Sequence, residues 1–462
     1  MPTVVYKSSK LLVMVFSLAS PVIANQEEVS EKVLTQEPDT KKLLWSFELE
    51  APSYGSGAAA DIDGDGKPEV VFGTYYNDEH VYALNGEDGS LLWKFKSEGG
   101  PVDTSILLHD LTGDGQPEVV FGDSAYGTLF CLKGDGEVLW KFAGQSGTDS
   151  PPAAADLDGD GKIEVVYGTM KKSGKDGFVN VLDGATGNPI WSVEIPGHIQ
   201  SEPGLADLNG DTVLDVLVAN WMGDGKLRAL NGKDGEELWG FETKDSVYHG
   251  VSIADFDKDK KPEVAIADRN GNVWLLEGES GEPVWESKLT GEYDGAVFAP
   301  TNLVKQSGTK APWLVVCGQH LHMIDGRDGE IKWRNEYGKN SIKRGVAIAD
   351  IDGNRKPDLV FVVGTRLYAV RAKDGKEIWS EELRIGDKPH EGAGAPLILD
   401  LDGDGRLDIF LVMGRGLSDE TRPQNYGRAI AIRAGKGKPD KGNQWPTFRG
   451  GSQRTGAAPD SP

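Results

Sequence analysis

Residues 156–164 read Asp156-Leu157-Asp158-Gly159-Asp160-Gly161-Lys162-Ile163-Glu164, and Val165-Val166-Tyr167 follows at once. Carboxylates stand at loop positions one, three, five and nine, and the glycines between them reach the positive φ that folds alternate side chains round one point. Calcium takes six to eight oxygens in a flexible shell, and this spacing suits it. The loop is shorter than a helix-flanked EF-hand loop and a β-branched run follows it, so the pattern predicts a calcium-binding hairpin between two strands.

The pattern recurs along the chain. Asp61, Asp63, Asp65 and Glu69 repeat it with both glycines, as do Asp400, Asp402, Asp404 and Asp408. Asp255, Asp257, Asp259 and Glu263 keep the carboxylates with lysines at the glycine positions. Asp110, Asp114 and Glu118 accompany Thr112, Asp207, Asp211 and Asp215 accompany Asn209, and Asp350, Asp352 and Asp358 accompany Asn354. Each substitute is still an oxygen donor. A polar turn alone has no need of the same four ligand positions in seven loops, so up to seven Ca2+ are expected.

Between the loops one unit repeats. A small-residue strand (57–60) enters the acidic loop, a β-branched strand (69–72) leaves it, a third strand ends at Tyr82-Ala83-Leu84-Asn85-Gly86, and after a tight turn a fourth reads Leu91-Leu92-Trp93-Lys94-Phe95. Position one falls at 61, 110, 156, 207, 255, 350 and 400, and the gap of 95 residues between 255 and 350 hides one more unit, whose loop is assigned to 302–310 and has lost its carboxylates. Four strands per period near 48 residues predict an all-β, eight-bladed β-propeller of four-stranded antiparallel blades over 43–449. The last unit lacks its Leu-Leu-Trp strand, and Leu43–Phe47 is such a strand without a unit, so the N-terminal strand is expected to close the ring against 428–434.

Two resemblances follow from these residues. Ala83–Trp93 and Val181–Trp191 resemble the tryptophan repeats of PQQ-like, quinoprotein-type propellers, and the acidic loops followed by Val71-Phe72-Gly73, Val120-Phe121-Gly122 and Val166-Tyr167-Gly168 look like FG-GAP/VCBS-type calcium repeats. They imply the propeller and the calcium and say little about activity. The quinone-dependent enzymes that share the tryptophan repeat typically carry a vicinal cysteine pair beside the cofactor. Cys131 and Cys317 stand in different repeats, so PQQ is not expected.

Lys7, Lys10, the apolar run 11–19 and Val22-Ile23-Ala24 read as a signal peptide over 1–24, followed by a flexible leader over 25–42 and, at the far end, a disordered tail over 450–462. The chain is therefore expected outside the cytoplasm, in the periplasm, at the cell surface or secreted, as a monomer with no transmembrane segment. Two cysteines in apolar runs read as buried free thiols. The net charge of −24 becomes −26 without the signal, which speaks against nucleic acid, and seven Ca2+ would bring it to −12.

The calcium loops join first and second strands and so share one face of the disc. Counting back seven and six residues from position one predicts the ring at the opposite mouth, including Tyr54, Asp103, Asp149, Gln200, Tyr248, His249 and Arg344, with Asp294/Gly295 estimated for the degenerate unit. Neighbouring loops add His198, Tyr293 and His390. These are candidate ligand-binding residues, with no catalytic residue assigned. The expected function is a calcium-stabilised, non-catalytic binding or scaffold module for a carbohydrate or protein partner. The alternative is a polysaccharide lyase, in which His, Tyr and Arg at the mouth would abstract a proton beside a uronate carboxylate. His320 and His322 with Cys317 nearby raise zinc, while strand alternation also explains both histidines as exposed strand residues.

Overall fold

The computed structural model describes residues 42–170, 176–289, 297–305, 308–309, 311–338, 341–384, 390–415, 424–439 and 453–457. The expected signal, the leader up to residue 41 and Tyr293 lie outside them. Among the described residues eight antiparallel sheets, seven of four strands and the last of five, run from inner to outer strand and form an eight-bladed β-propeller. No helix among the described residues is long and apolar enough to cross a membrane.

Burial explains the strand sequences. Second strands are enclosed between neighbouring blades and read as unbroken apolar runs, as at Glu69–Gly73, where every residue is buried. Outer strands lie on the rim and alternate, as at Leu91–Lys96. Inner strands such as Ala58–Ala60 and Ala153–Ala155 are built from small residues because all the blades converge there. The eighth sheet takes its outer strand from the N-terminal side: Leu43–Leu49 runs antiparallel to Tyr426–Arg433, with Ser46 opposite Ile430 and Phe47 opposite Ala429. An extra short strand, Glu391–Gly392, pairs with Met413 and Gly414 of the same sheet.

Adjacent blades are stapled by the recurrent tryptophan. Trp93 donates its indole N–H to Gly134 O at 2.7 Å, Trp140 to Gly184 O at 2.8 Å, and Trp191 to Gly232 O at 2.7 Å, each acceptor lying in the turn of the next blade. The ring also lies on a glycine of that turn. A Cβ at Gly187, where φ is +70°, would sit 2.6 Å from Trp140 ring atoms. These tryptophans pack one blade against the next.

Three placements differ from the sequence reading. Asn302–Val304 is the inner strand of the sixth blade, so its degenerate loop begins at Lys305 and not at Asn302. With no acidic landmark the loop start slipped by three residues and the mouth position by four, from the estimated Asp294/Gly295 to Phe298/Ala299. In the zinc candidate, Cys317 pairs with Leu321 across the ladder. Paired residues share a face, so His320 and His322 project from the other one, and both are buried between blades, not exposed as alternation suggested. Finally, residues 453–457 of the tail expected to be disordered are hydrogen-bonded to inner strands. Both cysteines are free and buried, and burial raises their thiol pKa values.

Candidate functional site

Two faces carry chemistry, and the first holds the acidic loops. In each of seven loops the position-nine carboxylate accepts a hydrogen bond from the N–H of position two, over 2.6–3.1 Å. The position-one aspartate accepts from position six in all seven, over 2.7–3.1 Å. Positions four and six have positive φ even where they are not glycine: Thr212 at 74°, Lys258 at 76°, Lys260 at 72° and Arg355 at 64°. A left-handed residue with a β-carbon costs about 1–2 kcal/mol, so the loop geometry overrides local preference.

In five loops three carboxylates bring one oxygen each within 4.8 Å of the others: Asp61, Asp63 and Asp65; Asp156, Asp158 and Glu164; Asp255, Asp257 and Asp259; Asp350, Asp352 and Asp358; Asp400, Asp402 and Asp404. Burial raises the position-nine group and the neighbouring aspartates add to it, so that Glu69, Glu164, Asp215, Glu263 and Asp358 are pushed up to about 7. Asp215 Oδ1, Asp358 Oδ1 and Asp400 Oδ1 are buried without a hydrogen-bond partner. Crowded, partly protonated carboxylates with spare buried oxygens fit a hard divalent cation. The loop at 400–408 differs, since Arg433 reaches Asp402 Oδ2 at 2.6 Å and Asp404 Oδ2 at 2.8 Å.

The second face is the channel mouth. The residues entering the inner strands bring Tyr54, Asp103, Tyr248, His249 and Arg344 together. Glu202, absent from the predicted set, joins them: fully buried, it lies 2.8 Å from His249 Nδ1, accepts the Gly250 N–H at 2.6 Å and stands 3.9 Å from Arg344 Nη1. Arg344 also crosses the channel to donate to Asp103 O at 3.4 Å. Gln200 Nε2 donates to Asp149 Oδ2 at 2.9 Å. Burial, with Tyr75 and Asp103 nearby, raises the Tyr54 pKa, and burial raises that of Tyr248, so both phenols keep their protons. Glu202 stands five residues before position one of its loop, one place past the predicted mouth positions.

Aromatic side chains surround this plug. Tyr54 meets Tyr75 at 4.8 Å and Tyr75 meets Tyr76 at 4.9 Å, centroid to centroid. Tyr248 touches Trp221 at 5.1 Å and Phe298 at 5.6 Å, with Arg269 over Trp221 at 5.3 Å. His198 exchanges backbone hydrogen bonds with Trp221 on this rim, and His390 lies apart against Tyr426. Two grooves, of about 410 and 220 Å³, open instead on the acidic-loop face, beside Asp63 and Trp93 and beside Asp257 and Arg327. Stacking faces around sealed charge can hold a sugar ring or apolar side chains.

Three overlapping stretches, 22–140, 77–246 and 223–403, match the model of the family PQQ_2, described as outer membrane protein assembly factor BamB. A stretch of 142 residues is 30% identical to the 1-butanol dehydrogenase (cytochrome c) of Thauera butanivorans, covering 28% of this chain and 17% of that relative's length. Similar solved structures include the V. cholerae biofilm matrix protein Bap1, with TM-score 0.63, 15% identity and coverage of 89% of this chain and 94% of that one. Saccharomyces cerevisiae Sqt1 gives TM-score 0.64 at 12% identity over 85% and 99%. The quinohemoprotein alcohol dehydrogenase ADHIIG of Pseudomonas putida HK5 gives 0.58 at 13% over 87% and 78%. At these identities the likeness concerns the fold, which a matrix protein and an enzyme share.

Proposed function

Because the chain belongs to the PQQ_2 family described as outer membrane protein assembly factor BamB, we propose that it is an exported, non-catalytic binding or scaffold propeller. Its mouth face would engage a carbohydrate or protein partner, and its FG-GAP-type loops would hold calcium as a structural ion. The observation that supports this reading is the state of the mouth: His249, which the inner strands bring beside Tyr248 and Arg344, is 4% exposed and lies 2.8 Å from Glu202, while aromatic side chains surround the opening. A base that takes a proton from substrate has to be within its reach, and the His249 imidazole is buried against Glu202. A rim of Tyr, Trp and Arg suits recognition.

Calcium would neutralise the acidic loops and fix the hairpins, and the residues present fit that role by their oxygen donors. The test is titration of the calcium-loaded protein against uronate polysaccharides and against outer-membrane protein segments, while following absorbance of an unsaturated product. Saturable binding that Trp221→Ala and Tyr248→Ala weaken about tenfold or more, without product, supports the proposal. Product formation that His249→Ala abolishes would establish the lyase instead.

A further inference from the structure

The inner strands of the blades line the central channel below the mouth. Deeper along it, three consecutive blades spend an inner-strand amide on the chain's own C-terminal segment: Ala154 N–H donates to Gln453 O at 3.1 Å, Leu205 N–H to Thr455 O at 3.1 Å, and Ile253 N–H to Gly456 O at 3.0 Å. Ala457 forms a parallel bridge with Ile253. Arg454, 2% exposed, reaches across to the first blade, where its Nη2 donates to Gly57 O at 3.1 Å.

Geometry explains why this spot accepts backbone. Ala154, Leu205 and Ile253 each stand two residues before position one of their loops, at the middle of the innermost strand. That strand pairs on one side only, and its alternate N–H and C=O groups face the channel as an open sheet edge. A segment inside a ring of such edges has to turn as it passes from one blade to the next. Positive φ at Arg454, 55°, and at Gly456, 70°, provides that turn. Main-chain hydrogen bonds to an open edge are how a peptide adds to a sheet, and here the buried Arg454 guanidinium anchors the segment as well.

We infer that the central channel is a docking site for an extended peptide and that residues 453–457 are its resident occupant, a plug tying the first blade to the third, fourth and fifth. This stands apart from both the calcium loops and the mouth face. A partner segment that replaces the plug must offer the same chemistry, carbonyls at this spacing and a guanidinium. The same inner-strand position recurs in the other blades, for example at Leu108 and Ile348, so an intruding peptide has further amides to meet.

The experiment compares the full chain with a variant lacking 450–462, adding a synthetic peptide of residues 450–462 labelled at its N-terminus. Truncation should cut hydrogen-exchange protection at the Ala154, Leu205 and Ile253 amides by about tenfold or more, and the peptide should restore it. Fluorescence anisotropy should show saturable binding to the truncated chain, at least about tenfold weaker to the full chain, and weaker again for the peptide with Arg454→Ala. Gly456→Val in the full chain, a β-branched residue at positive φ, provides a second route should the truncated chain not fold, and it should expose the same amides and admit the peptide. Unchanged protection at those amides in either folded variant, or equal peptide binding with and without the resident tail, overturns the inference.

Discussion

Trp45 donates its indole N–H to Gly86 O at 2.7 Å, across 41 residues, as Trp93 does to Gly134 O from the first blade. Trp45 is therefore the tryptophan missing from the last repeat, returned by the N-terminal strand, and the Trp45–Gly86 bond closes the ring between its final and first blades. Trp45→Ala removes a side chain only 7% exposed that also packs on Phe410 at 5.9 Å. A loss of about 3–5 kcal/mol is expected in urea unfolding. Deleting 25–49 should be worse, because it bares a sheet edge, whereas deleting 25–40 should leave the melt in place. Equal effects of the two deletions would contradict the closure.

Not every seam is equally stapled. Trp379 Nε1 is buried without a hydrogen-bond partner, and its ring instead carries Lys42 Nζ at 3.5 Å from the centroid. Trp→Phe should therefore cost about 1 kcal/mol at position 93, where a bond to a carbonyl is lost, and close to nothing at 379. Paired denaturant curves decide it.

Chelation is expected to lower the melting temperature markedly. Each ion that binds only the folded chain adds about 2.7 kcal/mol when free calcium is a hundredfold above Kd. Asp158→Ala, which opens one loop, should lower the melting point modestly, and Lys305→Ala should leave calcium stoichiometry unchanged because the sixth blade has no carboxylate shell. Fewer than about three ions per chain in protein purified without chelator, together with an EDTA-insensitive melt, would falsify the calcium reading.

The loop at 400–408 should be the weakest of the calcium sites, since the Arg433 guanidinium already lies 2.6 Å from Asp402 and 3.3 Å from Asp408. An entering cation has to displace that charge. Arg433→Gln is expected to add one tight site in calcium titration calorimetry. An unaltered stoichiometry and affinity would show that arginine and metal do not compete.

Acid stability gives a test at the sixth blade. His322 faces the solvent-free side of its strand, 1% exposed, with neither ring nitrogen hydrogen-bonded, and burial first, then His320 and Arg334, lowers its pKa from 6.5 to about 4. The unfolded chain then binds the extra proton between those values, so this contribution to stability is full above about pH 6.5 and drains away as pH falls through 4, up to about 3 kcal/mol. The sister position in the second blade is Phe130, stacked on Phe121 at 5.2 Å. His322→Phe should raise stability at pH 4–5 relative to pH 8, measured as the change in denaturant midpoint between the two chains at each pH. A parallel pair of pH profiles would refute it.

The sequence by itself determined the blade count, the place of every intact acidic loop and the identity of the closing strand. Each rests on a local signal repeated many times: ligand spacing, a turn glycine, a strand of fixed length ending in tryptophan. Those signals are covalent neighbours, so their spacing survives in the linear chain. The structure alone decided what happens where distant segments meet without a pattern. Glu202 pairs with Arg344 from another blade, Phe298 replaces the residue expected at the mouth because a degenerate loop hid the register, and Arg433 enters an acidic loop from a neighbouring strand. The tail is the clearest case: Gln453–Ala457 carries no apolar periodicity and reads as disordered, yet the channel offers it a line of inner-strand amides that comes together only once the ring has closed.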